Sequence, residues 1–280
     1  MIPALRIASL LLALVALGAR AQDLQPIKDA GPYVPSPDSV VSDMLKLAEV
    51  GPADFVIDLG SGDGRIVLTA AKVFGARGFG VEIKEELVKR ANEAAKIEGL
   101  AGRVKFMNAD LFKTDISQAT VLTMYLLPDT VNLLKDKFLA ELKPGTRVIS
   151  HDYPLTGWIP EKYVQMDLED KVQISGVTTT LIYLYVIPAK VAGRWSAKMP
   201  PAVARQASLE LRQQLTKVSG SARLDGRDVP LEDVKLRGDR LSFKLAGRKG
   251  EFTGQVKGKS IEGSFSGGGP KSAWSATLGS

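Results

Sequence analysis

Hydrophobic and polar positions follow two regimes along the chain. From residue 38 to about 187, short apolar runs alternate with stretches whose apolar residues recur every three or four positions; beyond 190 the runs shorten and alternate residue by residue. The first regime predicts strands and helices in turn, the second antiparallel strands. Ser36 as N-cap with Pro37 at the first helical position opens a helix whose apolar face is Val40, Val41, Met44, Leu45, Leu47 and Ala48, and Gly51-Pro52 stops it. The strand Phe55-Val56-Ile57-Asp58-Leu59 then breaks into a glycine loop, followed by a helical pattern at Ile66, Val67, Ala70, Ala71, Val73 and Phe74. A second strand over 78–83 leads to a charged helix that turns Leu87, Val88, Ala91, Ala94, Ala95 and Ile97 inward. A third strand covers 104–108, and the apolar run 120–127 has the character of a central parallel strand covered on both faces. After Pro128 the spacing predicts one helix over 129–142, closed by Lys143-Pro144-Gly145, and a fifth strand over 146–150. Two β-rich runs, 163–174 and 178–187, are separated only by Ser175-Gly176-Val177, too few residues for a crossover, so they form an antiparallel hairpin. The sum is an α/β chain with a doubly wound, Rossmann-like sheet of seven strands.

The second regime contains the runs 208–212, 240–245, 251–256, 260–265 and 273–276, separated by Gly-bearing turns. Such spacing predicts an up-and-down meander, a small barrel or half barrel, forming a C-terminal antiparallel β domain. Charge divides at the same place: residues 190–280 hold 17 lysines and arginines against 8 acids, whereas residues 1–189 hold 20 against 23. Because these basic residues alternate with apolar ones, they read as a solvated outer face. An anionic envelope or membrane surface is the alternative, and nucleic acid is disfavoured because basic and aromatic residues do not cluster. The chain has no cysteine and one histidine, which excludes disulfides, zinc-thiolate sites, cysteine nucleophiles and a His-rich metal centre. At the start, Arg6 precedes an apolar run over 7–17, shorter than the ~20 residues that span a bilayer, and Ala19-Arg20-Ala21 supplies an A-x-A cleavage pattern. The expected organisation is a signal peptide over 1–21, an α/β domain over 22–189 and the basic β domain over 190–280, with an exported, periplasmic product; membrane-anchored and cytosolic locations are the alternatives. A protease-sensitive linker is expected near 188–201.

The chemistry centres on Gly60-Ser61-Gly62-Asp63-Gly64, between the strand that ends in Asp58 and the helix that begins at Arg65. Such a junction lets a ligand approach the backbone closely and offers unpaired helix N–H groups to a negative charge. The dinucleotide fingerprint is G-x-G-x-x-G, and the spacing here is G-x-G-x-G with an acid two residues before it, which weakens a nicotinamide-dependent oxidoreductase. Glu82 stands 18 residues after Gly64 at the end of the second strand, where a carboxylate accepts from ribose hydroxyls, and Asp110 stands at the exit of the third.

This set resembles motif I and the following acids of the class I S-adenosylmethionine (SAM) methyltransferases. The resemblance implies that Asp58, Gly60, Ser61, Gly62, Asp63 and Gly64 hold the methionine end of SAM, Glu82 the ribose and Asp110 the adenine amino group. At Tyr125-Leu126-Leu127-Pro128 the chain lacks the Asn/Asp-Pro-Pro-aromatic segment of enzymes that methylate adenine or glutamine amide nitrogen, which disfavours those substrates. Together with Pro32-Tyr33-Val34-Pro35-Ser36-Pro37 and Leu142-Lys143-Pro144-Gly145, the motifs are similar to those of the mitochondrial seven-strand protein-lysine methyltransferases of inner-membrane carriers and the ATP synthase c subunit, and of their bacterial relatives. That narrower resemblance covers about residues 30–190. It implies a protein lysine as methyl acceptor and Tyr33, Pro35 and Ser36 as lid residues over the cofactor; with no cysteine and one histidine, no metal is expected. Tyr125 and His151, at the ends of the fourth and fifth strands, are the candidate catalytic residues, Tyr125 lining the acceptor channel and His151 relaying a proton, with Tyr153 and Trp158 as pocket walls and Asp152 on the same edge. The competing reading, raised by the leader, is an exported non-catalytic protein that binds a nucleoside-like ligand while its β domain binds an anionic surface.

Overall fold

The structure is a computed structural model, and it describes residues 33–172 and 176–279. The leader at 1–21 lies outside the described residues. The first half builds α1 (Asp38–Leu47), β1 (Phe55–Leu59), α2 (Arg65–Phe74), β2 (Arg77–Glu82), α3 (Glu85–Ile97), β3 (Val104–Asn108), β4 (Val121–Met124), α4 (Pro128–Leu133), α5 (Lys135–Glu141), β5 (Arg147–His151), β6 (Lys162–Asp167) and β7 (Thr179–Val186). These seven strands form one sheet in the order β3-β2-β1-β4-β5-β7-β6, with β7 antiparallel to both β5 and β6. Strand order reverses beside β1, which pairs in parallel with β2 on one side and β4 on the other. In open α/β sheets a crevice opens at such a reversal, beyond the carboxyl ends of the strands.

Alternation along the strands distributes side chains to two layers. Val56, Val121, Ile149 and Ile182 pack with α1 and α2 residues on one face. Ile57, Leu122, Val148 and Tyr185 pack with Val131, Leu134 and Phe138 on the other. All four residues of β4 are buried, as expected of a strand covered on both faces.

Several expectations for this half change. Ser36 does not cap α1: the N-cap is Pro37, and the Ser36 hydroxyl bonds His151 instead. Val73 and Ile97, each in the last turn of its helix, are exposed rather than turned inward. The helix foreseen over 129–142 is two short helices meeting at Leu134, where the backbone bond back to Thr130 O is stretched to 3.3 Å. The β run foreseen over 163–174 stops at Asp167, and a 3₁₀ turn at Glu169–Lys171 carries Lys171 inward to bond Asp152.

The second half is a closed eight-stranded barrel: β8 (Gly193–Lys198), β9 (Ala207–Gln214), β10 (Lys217–Leu224), β11 (Arg227–Arg237), β12 (Arg240–Leu245), β13 (Glu251–Lys257), β14 (Ser260–Ser266) and β15 (Ser272–Leu278), with β15 pairing β8 to close the ring. Three strands escape sequence reading for physical reasons. Between Val218 and Leu224 the inward positions of β10 are only the small Gly220 and Ala222, β11 carries Pro230 and a bulge between Glu232 and Lys235 that breaks its period of two, and β8 is short. The interior is filled: Phe243 and Phe252 stack at 5.0 Å, Trp274 meets both edge-on, and the Trp195 indole N–H donates to the Val191 carbonyl at 2.8 Å. Several basic residues of the outer face pair with neighbouring acids, as Lys244 does with Asp233 and Lys257 with Glu262.

The connection near 188–201 departs from the linker expected there. Ala189 and Val191 are buried in the barrel core, Ala189 N–H donates to Gly238 O, and the Gln213 amide bonds both Ala189 and Val191. Arg237 on the barrel forks onto Glu161 beside the sheet, both contacts at 2.9 Å. Among the described residues no helix is long and apolar enough to cross a membrane, and no cluster of acidic, histidine or cysteine side chains could hold a metal ion.

Candidate functional site

The crevice beside β1 is an open cleft of about 970 Å³, solvent included, and its lining takes in Tyr33, Pro35, Ser36, Asp58, Gly60, Ser61, Gly62, Asp63, Glu82, Asp110 and Tyr125. The sheet gathers these positions because parallel strands all deliver their carboxyl ends to one edge. Gly64 is the N-cap of α2 immediately behind the loop, and a Cβ there would meet Phe106 at 2.6 Å.

The glycine loop is held in a shape that requires glycine at its centre. Gly62 has φ +53°, and a Cβ on it would overlap the Tyr33 ring lying against it. Glu82 clamps the loop from β2: its two oxygens accept from Gly62 N–H at 3.0 Å and Lys84 N–H at 2.9 Å, leaving lone pairs for a further donor. Asp58 is wholly buried, with Thr123 donating to it at 2.7 Å. Burial pushes its carboxyl up to about 7; the Thr123 bond opposes this, and the nearby charges of Glu82 and Asp63 add to it. Asp110 accepts from Phe112 N–H at 2.8 Å through one oxygen, as a turn residue does, and its other oxygen lies 3.8 Å from Lys113.

Over this loop lies the arm 33–37. Arg65 fastens it: the guanidinium forks onto Asp63 at 2.7–3.2 Å and donates to the Ser36 carbonyl at 2.9 Å. Burial alone would raise the Asp63 carboxyl, but the Arg65 guanidinium and the Tyr33 hydroxyl hold it below its ordinary value. Arg65 follows the last glycine of the loop directly, so its place in sequence was the one available signal for this role.

At the far side, Tyr125 lines the cleft, but His151 does not. His151 is buried behind the Tyr125 ring, centroid to centroid 3.9 Å, with Nδ1 2.8 Å from Ser36 Oγ. Burial lowers its pKa to about 4, with Asp152 pulling up and Lys171 pushing down, so the ring is neutral at physiological pH. The candidate relay residue thus stands behind the cleft rather than in its lining, where it backs Tyr125 and anchors the arm. Tyr153 and Trp158 are also not cleft walls. Trp158 is buried against Tyr185 in the core, and Tyr153 packs on the same cluster, its carbonyl taken by Ser150. Sequence reasoning missed Lys171, which pairs with Asp152 at 2.7 Å, and the apolar lining from Ile83, Leu111, Phe112 and Leu126.

Comparison with known proteins agrees with this geometry. Residues 58–162 match the model of the ANTKMT methyltransferase domain. The chain is 43% identical over 157 residues to a protein-lysine N-methyltransferase of Saccharolobus islandicus (strain REY15A), covering 93% of that protein and 56% of this one. It is 36% identical over 135 residues to the adenine nucleotide translocase lysine N-methyltransferase of Mus musculus, of which it spans 58%. A solved RNA methyltransferase from Salinibacter ruber, in complex with S-adenosyl-L-homocysteine, is 46% identical, with 56% of this chain and 96% of that chain covered at a TM-score of 0.51.

Proposed function

Since this chain belongs to the family of class I SAM-dependent methyltransferases that includes these protein-lysine N-methyltransferases, we propose that its methyl acceptor is the side-chain amine of a protein lysine. The observation that carries this reading is the match to the archaeal protein-lysine enzyme over 93% of that enzyme's length. The chain's own residues suit SAM. The loop at Gly62 has no room for a side chain, Asp58 lies buried where a cationic group would be welcome, and Glu82 and Asp110 keep free lone pairs toward the cleft. Asp58 with the loop would hold the methionine end, Glu82 the ribose and Asp110 the adenine, while Tyr33, Pro35 and Ser36 shut water from one side.

When bound, SAM supplies an electrophilic methyl group on a cationic sulfur. The chain must then place a neutral amine in line with it, because alignment alone is worth about 7–11 kcal/mol. A lysine amine starts from a pKa of about 10.4, and the apolar side chains in the lining, Leu126 and Phe112 among them, would disfavour its charged form where it meets them. With SAM bound, Asp58, the glycine loop and Glu82 would hold the group that supplies the methyl, and the acceptor amine's spare proton would pass to solvent at the open side of the cleft.

An RNA acceptor is the second reading, favoured by the 46% identity to the Salinibacter ruber protein. The absence of polar acceptors at Leu126-Leu127-Pro128 argues against an adenine amino group. The test is to incubate the full chain with trideuteromethyl-SAM and, separately, nuclease-treated protein and protein-free RNA from the source cells. Deuterated methyl-lysine in the protein pool is the expected result. Label confined to RNA, or none in either pool while SAM binds, overturns the lysine assignment.

A further inference from the structure

Behind the cleft lies a polar cluster that neither the glycine loop nor the cofactor acids use. Tyr125 lines the cleft just beyond β4, and its hydroxyl donates to Asp152 Oδ2 at 3.0 Å. Asp152 is fixed from other directions as well: Lys171 Nζ lies 2.7 Å and Leu181 N–H 3.1 Å from Oδ1, while its own N–H donates to the Leu181 carbonyl. Lys171 is 5% exposed and also donates to the Thr179 carbonyl at 2.5 Å. Asp152 holds φ +62°, a conformation a non-glycine residue keeps only where its surroundings impose it, and such strain gathers at working sites. On its face the Tyr125 ring is held by His151, which Ser36 holds in turn.

A phenol carries one proton. With that proton committed to Asp152, Tyr125 has only lone pairs left for a ligand. We propose that Asp152, held by Lys171, is a positioning residue that fixes the Tyr125 hydroxyl as a hydrogen-bond acceptor, so that this side of the cleft selects an amine over an acceptor group without N–H. An amine donates one N–H to Tyr125 and keeps its own lone pair free for the methyl group. A carboxylate has only lone pairs to offer and meets repulsion. The proposal rests on the lysine reading and deepens it, by naming what in this chain recognises the nitrogen.

The test is nuclear magnetic resonance of the full chain, carrying ¹³C-labelled tyrosine rings and saturated with S-adenosyl-L-homocysteine. Two probes are titrated: N-acetyl-lysine methylamide and its norleucine counterpart, which keeps the chain and lacks the amine. The Tyr125 signal, assigned by its loss in Tyr125→Phe, shifts with the lysine probe and not with the norleucine probe. In the paired variant Asp152→Ala/Lys171→Met, which removes the acceptor of the Tyr125 proton and leaves no buried lysine without its counter-charge, the lysine probe binds about tenfold more weakly. Its affinity for S-adenosyl-L-homocysteine stays within about threefold, a difference well under 1.4 kcal/mol. Equal shifts from both probes, or undiminished lysine binding in the paired variant, overturn the proposal. If circular dichroism shows that the paired variant does not fold, calorimetry on Tyr125→Phe decides, since retained binding of the lysine probe there is equally fatal. Amine binding without methylation of protein removes the protein-lysine reading and leaves this site standing; protein-lysine methylation with Tyr125 unresponsive does the reverse.

Discussion

Asp58 shows how a single residue can work against the fold in favour of a ligand. Its carboxyl is wholly buried and titrates at about 7, far above the ordinary aspartate value. Since the folded pKa exceeds the unfolded one, the stability this group contributes is complete below about pH 4 and is lost as pH rises to about 7, a swing on the order of 4 kcal/mol. Asp58→Asn keeps an oxygen to accept from Thr123 and carries no charge. The variant without cofactor should therefore melt higher than the parent at pH 7.5, and its melting temperature should lose most of the parent's fall between pH 4.5 and 7.5. Its affinity for SAM should drop by about 1.5–3 kcal/mol, as expected for loss of a hydrogen bond to a charged group. Scanning calorimetry across pH with SAM titrations checks both halves, and a variant less stable than the parent at pH 7.5 would contradict the linkage.

At the scale of elements, the arm and the glycine loop form a joint unit. Arg65 starts α2, grips Asp63 within the loop and reaches the Ser36 carbonyl before α1, so three elements meet on one guanidinium. Arg65→Lys preserves the charge and removes the planar fork, which is not a conservative change at a bidentate site. Hydrogen exchange at residues 33–37 should accelerate, and SAM affinity should fall by about 1–2 kcal/mol, the scale of charge-assisted bonds. Unchanged exchange in the arm would detach it from the loop and end its assignment as a lid.

For the whole molecule, the junction between sheet and barrel is built at backbone distance. Gly238, at φ +60° in the turn after β11, sits so close to Gly145 that a Cβ would lie 2.9 Å from the Gly145 Cα. Gly238→Val combines a backbone conformation foreign to a β-branched residue with that collision, and should cost about 1–3 kcal/mol. It should also make the connection around Ala189, now buried and bonded to Gly238, accessible to protease. Limited proteolysis of the variant should release a C-terminal barrel fragment that the parent does not release; identical digestion of the two would show that the contact does not hold the halves together.

The amino-acid sequence by itself determined what is local. Phe55–Leu59 reads as a strand, the three glycines as a loop and Ile66 to Phe74 as a helix because side-chain periodicity and glycine's permitted angles act within a few residues. Since parallel strands bring their carboxyl ends to one edge, that local reading was enough to gather Asp58, Glu82, Asp110 and Tyr125 around one cleft. Tertiary structure alone decided what depends on distant partners. Ser36 and His151 are 115 positions apart, Arg237 and Glu161 76, and no period or spacing encodes such a contact. His151 stood out in the sequence as the sole histidine, at a strand end; the fold buried it behind the Tyr125 ring, outside the cleft lining. Lys171 looked like one of many surface lysines until a 3₁₀ turn carried it to Asp152. The sequence left a closed barrel and a half barrel equally open, since whether β15 finds β8 depends on the accumulated twist and stagger of every strand between them.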